Sequence, residues 1–167
     1  MVSLKSGEKK VLIVSALLCL LAVVAMILAL TLGEKQIQAE FIPPSFDENA
    51  VAGIPEVPEN LGWEQLDAQV FRVSVCGVVA AKAGAADIWL TNPGENDVWL
   101  KLRLLDPNGT ILGETGLITP GQYVQAVELK EVPGAGTPIV LKIMAYEPET
   151  YHSAGSISIN TKIYDHS

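Results

Sequence analysis

The sequence contains few of the residues that build catalytic or metal centres. It has two cysteines, Cys19 and Cys76, and two histidines, His152 and His166. Because Cys19 lies inside a long apolar run, Cys76 has no partner for an intramolecular disulfide, and we interpret it as a small buried residue. Zinc sites need several cysteines or histidines close together, so we predict no metal site and no cofactor.

The sequence also contains few places where a nucleophile stands beside a base. His152 and Ser153 are adjacent in a loop, with Glu147 and Glu149 a few residues before them. No nucleophile elbow surrounds Ser153, so we interpret this group as an exposed polar loop. The sequence predicts no catalytic residue, and an exported hydrolase is the least favoured class of function.

Basic residues are rare beyond the first ten positions. Lys5, Lys9 and Lys10 precede the apolar run, whereas the chain from Gly33 onward has 8 basic and 18 acidic residues, a charge of −10. An acidic body is repelled by nucleic acid and by anionic lipid. Neither is therefore predicted as a ligand.

Apolar residues, by contrast, are abundant in one place. Val11 to Leu32 is a run of 22 residues without a charge. As a helix it would be about 33 Å long, enough to cross a hydrocarbon core of about 30 Å. We predict a single transmembrane helix at 11–32. A cleaved signal peptide is the alternative, but its apolar region is usually about 7–15 residues. Lipoprotein processing at Cys19 is disfavoured because Leu18 is not small.

The flanking charges predict the orientation. Lysines before the run place residues 1–10 in the cytoplasm and the C-terminal part outside the cell. Residues 33–66 are predicted to be an extended stalk, since residues 40–62 contain four prolines and five acidic residues but no basic one. Its apolar side chains could dock on the membrane surface or on the following domain, and both alternatives stay open. These side chains are Phe41, Ile42, Phe46 and Trp63.

From residue 67 to the end, the pattern is typical of short β-strands separated by turns. Seven strands are predicted, at 69–76, 85–91, 97–105, 110–114, 122–130, 138–146 and 156–164. About 100 residues of this kind favour an all-β fold, an immunoglobulin-like antiparallel β-sandwich of about seven strands after the transmembrane helix.

The clearest predicted unit is a hairpin with Asn92–Asn96 as its loop. A register symmetric about Gly94 places Ile88 opposite Leu100 on an apolar face and Trp89 opposite Trp99 on the other. Exposed aromatic pairs mark interfaces, so this second face is our candidate interaction patch. The alternatives are that the stalk covers it, for example with Trp63, or that the two indoles only hold the hairpin together. The patch residues are Trp89, Trp99, Lys101 and Arg103.

Several turn and strand motifs resemble a recurrent ectodomain of small single-pass membrane proteins of Gram-positive (Firmicutes) gut bacteria. The resemblance covers roughly residues 70–163 and implies an immunoglobulin-like fold and a bacterial surface location. It implies no activity, since none is established for that group. Trp89 and the loop at 133–136 depart from its pattern. The matching motifs are Asn92-Pro93…Glu95-Asn96, Asp106…Gly109, Gly116–Gly121, Val127-Glu128-Leu129 and Ile157-Ser158-Ile159.

Together these features predict a non-catalytic binding or accessory module of the bacterial cell envelope. Its N-terminus would lie in the cytoplasm, and its β domain would meet a protein partner at the cell surface. The oligomeric state is left open. The alternative is a structural or adhesive surface component that associates with itself through free edge strands.

Overall fold

The computed structural model describes residues 6–32 and 41–164. The chain divides into two compact units, Met1–Ile42 and Pro43–Ser167. The first contains helix α1, Ser6–Leu32, and the second contains the strands. Of the predicted stalk, residues 33–40 lie outside the described part of the chain, as do residues 1–5 and 165–167.

Helix α1 contains the predicted apolar run and begins five residues before it. Its segment Lys10–Leu28 has a mean hydropathy of 3.2, and the side chains of this segment are exposed. Exposed apolar groups around a whole helix are costly in water but favourable in lipid. The helix is therefore long and apolar enough to cross a membrane, and it is compatible with either an anchor or a signal sequence.

The second unit is all-β, as predicted. Residues 41–164 contain ten strands rather than about seven, and each of the seven predicted strands is present with ends that differ by at most three residues. The additional strands are β1, β2 and β4, which are short. The ten strands are β1 Val51–Ala52, β2 Trp63–Asp67, β3 Arg72–Cys76, β4 Val79–Lys82, β5 Ala85–Asn92, β6 Trp99–Leu105, β7 Ile111–Glu114, β8 Gln122–Glu128, β9 Pro138–Tyr146 and β10 Ser153–Tyr164.

The strands form two layers joined by β10. In the first sheet, β5 pairs with β3, β4 and β8, while β2 lies beside β3 and β1 beside β8. The second sheet runs β10, β9, β6, β7, with every pair antiparallel. At its end β10 also pairs in parallel with β4, through Ile163 and Tyr164. The domain is therefore one curled sheet folded into two layers.

One apolar core fills the space between the layers. β5 contributes Ile88 and Leu90 from the first sheet, and β6 contributes Leu100, Leu102 and Leu104 from the second. All five are fully buried. This confirms the predicted inward face of both segments, because side chains alternate between the two faces of a strand.

The predicted hairpin between these two segments is wrong. β5 pairs within the first sheet and β6 within the second, so their chain segments face each other across the core instead of pairing. Asn92 holds the crossing: its buried side-chain amide donates hydrogen bonds to Val98 O (2.9 Å) and Ile118 O (3.0 Å). Asn96 in turn donates to Asn92 Oδ1 at 2.7 Å. Through these bonds the Asn92 side chain satisfies two main-chain carbonyl groups at the point where the chain passes from the first sheet to the second.

The predicted stalk is also corrected over its described part. Residues 43–53, which we name the strap, belong to the same compact unit as the strands and pair with them at two points. Phe46 pairs in parallel with Leu117 beside the second sheet, and Val51 pairs with Tyr123 of the first sheet. Further along, β2 pairs with β3 over five residues. The prolines and acidic charges do not prevent docking, because the strap bonds through the residues between the prolines.

Candidate functional site

The outer face of the second sheet collects aromatic and basic side chains in ordered rows. Trp99 of β6 is opposite Tyr146 of β9, and two residues further along Lys101 is opposite Met144. The next row is longer: the strand pairing places four residues side by side, one from each strand of the sheet. It contains Glu114 of β7, Arg103 of β6, Lys142 of β9 and Ser158 of β10.

The aromatic end of this face is a cluster around Trp99. Phe46 of the strap packs edge-on against the indole, with ring centroids 4.9 Å apart. Tyr151, in the loop between β9 and β10, packs edge-on against it with ring centroids 5.3 Å apart. Edge-to-face pairs at such distances contribute about 0.5–1.5 kcal/mol beyond burial. All three rings keep part of their surface exposed. The three rings therefore form a packed apolar surface that is partly open to solvent.

The middle of the face is positively charged. Lys101 Nζ and Arg103 Nε both contact Glu114 Oε2, at 3.1 and 2.9 Å. Partial burial raises the pKa of Glu114, but the hydrogen bonds from Arg103 and Lys101 and their charges outweigh it, so the pKa is lowered overall. Lys142 has no ion-pair partner among the described residues. One carboxylate therefore balances only part of the charge of three cations.

The predicted patch is divided by this geometry. Trp99, Lys101 and Arg103 share the outer side of β6, but Trp89 belongs to β5 in the first sheet. Trp89 does not pair with Trp99, because the two strands lie in different layers. The structure brings to the three β6 residues Glu114, Lys142, Tyr146 and the strap residue Phe46, which the sequence did not connect with them.

Trp89 occupies an unusual position of its own. Its φ is +48°, a left-handed conformation that a bulky side chain rarely adopts, at a register shift in the pairing of β5 with β8. Its ring stacks on Tyr123, and its carbonyl accepts a hydrogen bond from Trp63 Nε1 at 3.1 Å. Its own Nε1 is buried with no acceptor among the described residues. Trp63, a residue of the predicted stalk, therefore contacts the main chain of Trp89.

The stalk residues expected to dock are found in different places. Phe46 and Trp63 contact the domain, against Trp99 and Trp89, while Phe41 and Ile42 are 64% and 83% exposed. The structure supports docking on the domain for the first two. For the last two, neither alternative is tested.

The remaining candidate groups are placed as follows. Cys76 is fully buried, as predicted, and burial, followed by the charge of Asp87, raises its pKa to about 12. Its thiol stays neutral and is a poor nucleophile at ordinary pH.

His152 and Ser153 are exposed, and Ser153 Oγ accepts a hydrogen bond from Gly155 N at 3.4 Å. Among the described residues, no group of three or more His, Cys, Asp or Glu is placed to hold a metal ion.

Comparisons with known proteins leave the family open. No family model matches the chain, and no curated protein matches it either. Among solved structures the chain is similar to CopC from Methylosinus trichosporium OB3b, with 15% sequence identity and a TM-score of 0.36, over 63% of this chain and 96% of that chain. At this TM-score the likeness supports no conclusion about ligand or activity.

Proposed function

We propose that the protein is a membrane-anchored, non-catalytic binding module of the bacterial cell envelope. Its β domain would lie outside the cell and contact a partner protein through the outer face of the second sheet. The anchor and its orientation rest on helix α1 and on Lys5, Lys9 and Lys10 before the apolar run. The bacterial surface location rests on the resemblance of residues 70–163 described above.

One observation carries the choice of face. The outer side of the second sheet presents the partly exposed residues Trp99, Tyr146 and Arg103 together, around the buried side chain of Met144. Trp, Tyr, Met and Arg are the residue types enriched at the centres of protein–protein interfaces, and Trp, Tyr and Arg dominate their binding energy. Since Arg103 and Trp99 keep exposed surface, a partner gains contact area there without displacing the core.

In-cell crosslinking tests this proposal on the full chain. A photoreactive amino acid at Ser158, an exposed position of β10, is compared with the same residue at Gln125, an exposed position of β8 in the first sheet. We expect a discrete crosslinked product from position 158 only. The absence of any product from position 158, or an identical product from both positions, would refute the assignment of the face.

Self-association is the second candidate, and the sheet edges argue against it. The strands that end the pairing path, β1 and β7, have two and four residues. The other edge strand, β2, carries Glu64 and Asp67. Short and charged edges are poor templates for pairing with another chain. A crosslinked product containing two copies of this chain would reverse the order of the two candidates.

A further inference from the structure

The basic residues of the β domain are concentrated in the strands of its second sheet. Residues 41–164 contain 15 acidic and 7 basic residues, a charge of −8. The strands of the second sheet contain four of these basic residues and a single acidic one, a charge of +3. The rest of the described domain therefore carries −11. The four basic residues are Lys101, Arg103, Lys142 and Lys162.

This charge lies on the face already assigned to binding. Lys101 and Arg103 share Glu114, whereas Lys142, opposite Arg103, adds a charge that no carboxylate of the described residues balances. Two cations at paired positions on neighbouring strands extend from backbones that are about 4.8 Å apart. Such a pair repels itself, and an incoming carboxylate would relieve that repulsion.

We infer that the partner, on the proposed function just given, presents an acidic peptide segment with an apolar side chain about 13 Å from its carboxylates. The distance follows from the four-position spacing of Trp99 and Arg103 along β6, at about 3.3 Å per residue. The apolar side chain contacts the aromatic cluster, and the carboxylates contact Arg103 and Lys142. An extended segment spans the same distance in four residues, so the apolar and acidic residues are at i and i+4.

A protein segment fits this face better than other anions do. A nucleic acid brings many closely spaced phosphates, which the surrounding charge of −11 repels. The partly exposed Trp99 and Tyr146 on the same face as Lys142 are typical of protein interfaces. The main-chain groups of β6 and β9 are already paired, so recognition here depends on side chains rather than on strand addition.

The test measures binding of two synthetic peptides to the full chain in detergent micelles. One peptide has leucine followed four residues later by three glutamates, and the other has glutamines in place of the glutamates. We expect the glutamate peptide to bind at least tenfold more tightly at low salt. Lys142→Glu should remove this preference, while Lys82→Glu, the same change on an exposed residue of β4, should leave it within twofold.

Folding and alternative ligands are controlled in the same experiment. The carboxylate introduced by Lys142→Glu would face Arg103, so this variant is expected to stay folded, and Lys142→Gln should lose the preference with less change in charge. Equal binding of the two peptides, equal effects of the Lys142 and Lys82 changes, or tighter binding of a polyuronate than of the glutamate peptide would refute the acidic peptide. If crosslinking at Ser158 persists in that case, the binding face stands and only the ligand class falls.

Discussion

The strap offers the sharpest test of the fold, through the substitution Gly116→Ala. A Cβ atom at position 116 would lie 2.6 Å from Asp47 Cα and 2.7 Å from Phe46 C, and nearer still to Asp47 N. These are backbone atoms, so they cannot turn aside as a flexible side chain can. The strap must therefore leave its position over Gly116.

The expected cost follows from what the strap loses. Three hydrogen bonds join it to this point: Leu117 N to Ser45 O at 2.9 Å, Asp47 N to Leu117 O at 2.9 Å and Gly116 N to Asp47 Oδ2 at 2.7 Å. At about 1 kcal/mol each they contribute about 3 kcal/mol. Loss of the Phe46–Trp99 contact adds about 0.5–1.5 kcal/mol. We expect a fall in unfolding free energy of about 3.5–4.5 kcal/mol, and no more than this because the strap can detach while the core stays folded.

Denaturant unfolding of the full chain in detergent, with hydrogen exchange of residues 43–53, measures this effect. Gly134→Ala is the matched control, since its Cβ would meet nothing within 4 Å, and it should change stability by about 0.5 kcal/mol or less. Phe46→Ala should cost clearly less in the Gly116→Ala background than in the original chain. A loss below about 1 kcal/mol with unchanged exchange of the strap would show that the strap does not hold this position.

Two further predictions concern the sheet crossing and the charged row. Asn92→Ala removes two buried hydrogen bonds and one half-buried one, and it should lower the unfolding free energy by about 3 kcal/mol. Asn160→Ala, at an exposed position of β10, should cost about 0.5 kcal/mol or less, and equal denaturation midpoints for the two variants would contradict this. Because the pKa of Glu114 is lowered by folding, its charge stabilises the domain above the ordinary glutamate pKa, and this is lost as pH falls through the folded pKa. Glu114→Gln should therefore be less stable at pH 7, by about 1 kcal/mol or less given its 38% exposed side chain, and the difference should vanish in acid; a difference that grows in acid would refute it.

The sequence predicted the parts of the fold that depend on local pattern. Alternation of apolar and polar residues located seven strands and identified Ile88 and Leu100 as inward-facing, because burial on one side of a strand imposes a period of two. The uncharged apolar run predicted α1, and this prediction also depends only on a local pattern. Neither inference needs to know which segment lies beside which.

The strap was missed because it depends on contacts distant in sequence. Asp47 and Gly116 are 69 positions apart, and the close approach needs a residue without a side chain at 116. A proline-rich acidic segment looks extended in either case, since an added strand is itself extended. Phe46, an apolar residue between the polar residues Ser45 and Asp47, is the signal for docking within the strap, and on its own it fits the membrane surface equally well.

Part of the proposed binding face follows from the sequence, and the rest depends on how the chain connects β5 to β6. Both a hairpin and a crossing between layers give the same inward residues, so agreement among the predicted pairs around Gly94 could not distinguish them. The length of the connection does: Pro93–Val98 has six residues, more than most hairpin loops, and enough to span the roughly 10 Å between packed sheets. By contrast, the five residues Asp106–Thr110 form a true hairpin between β6 and β7. With the crossing established, Trp99, Lys101 and Arg103 acquire β9 as their neighbour instead of β5. The candidate site therefore changes from a pair of tryptophans to a charged sheet face beside one of them.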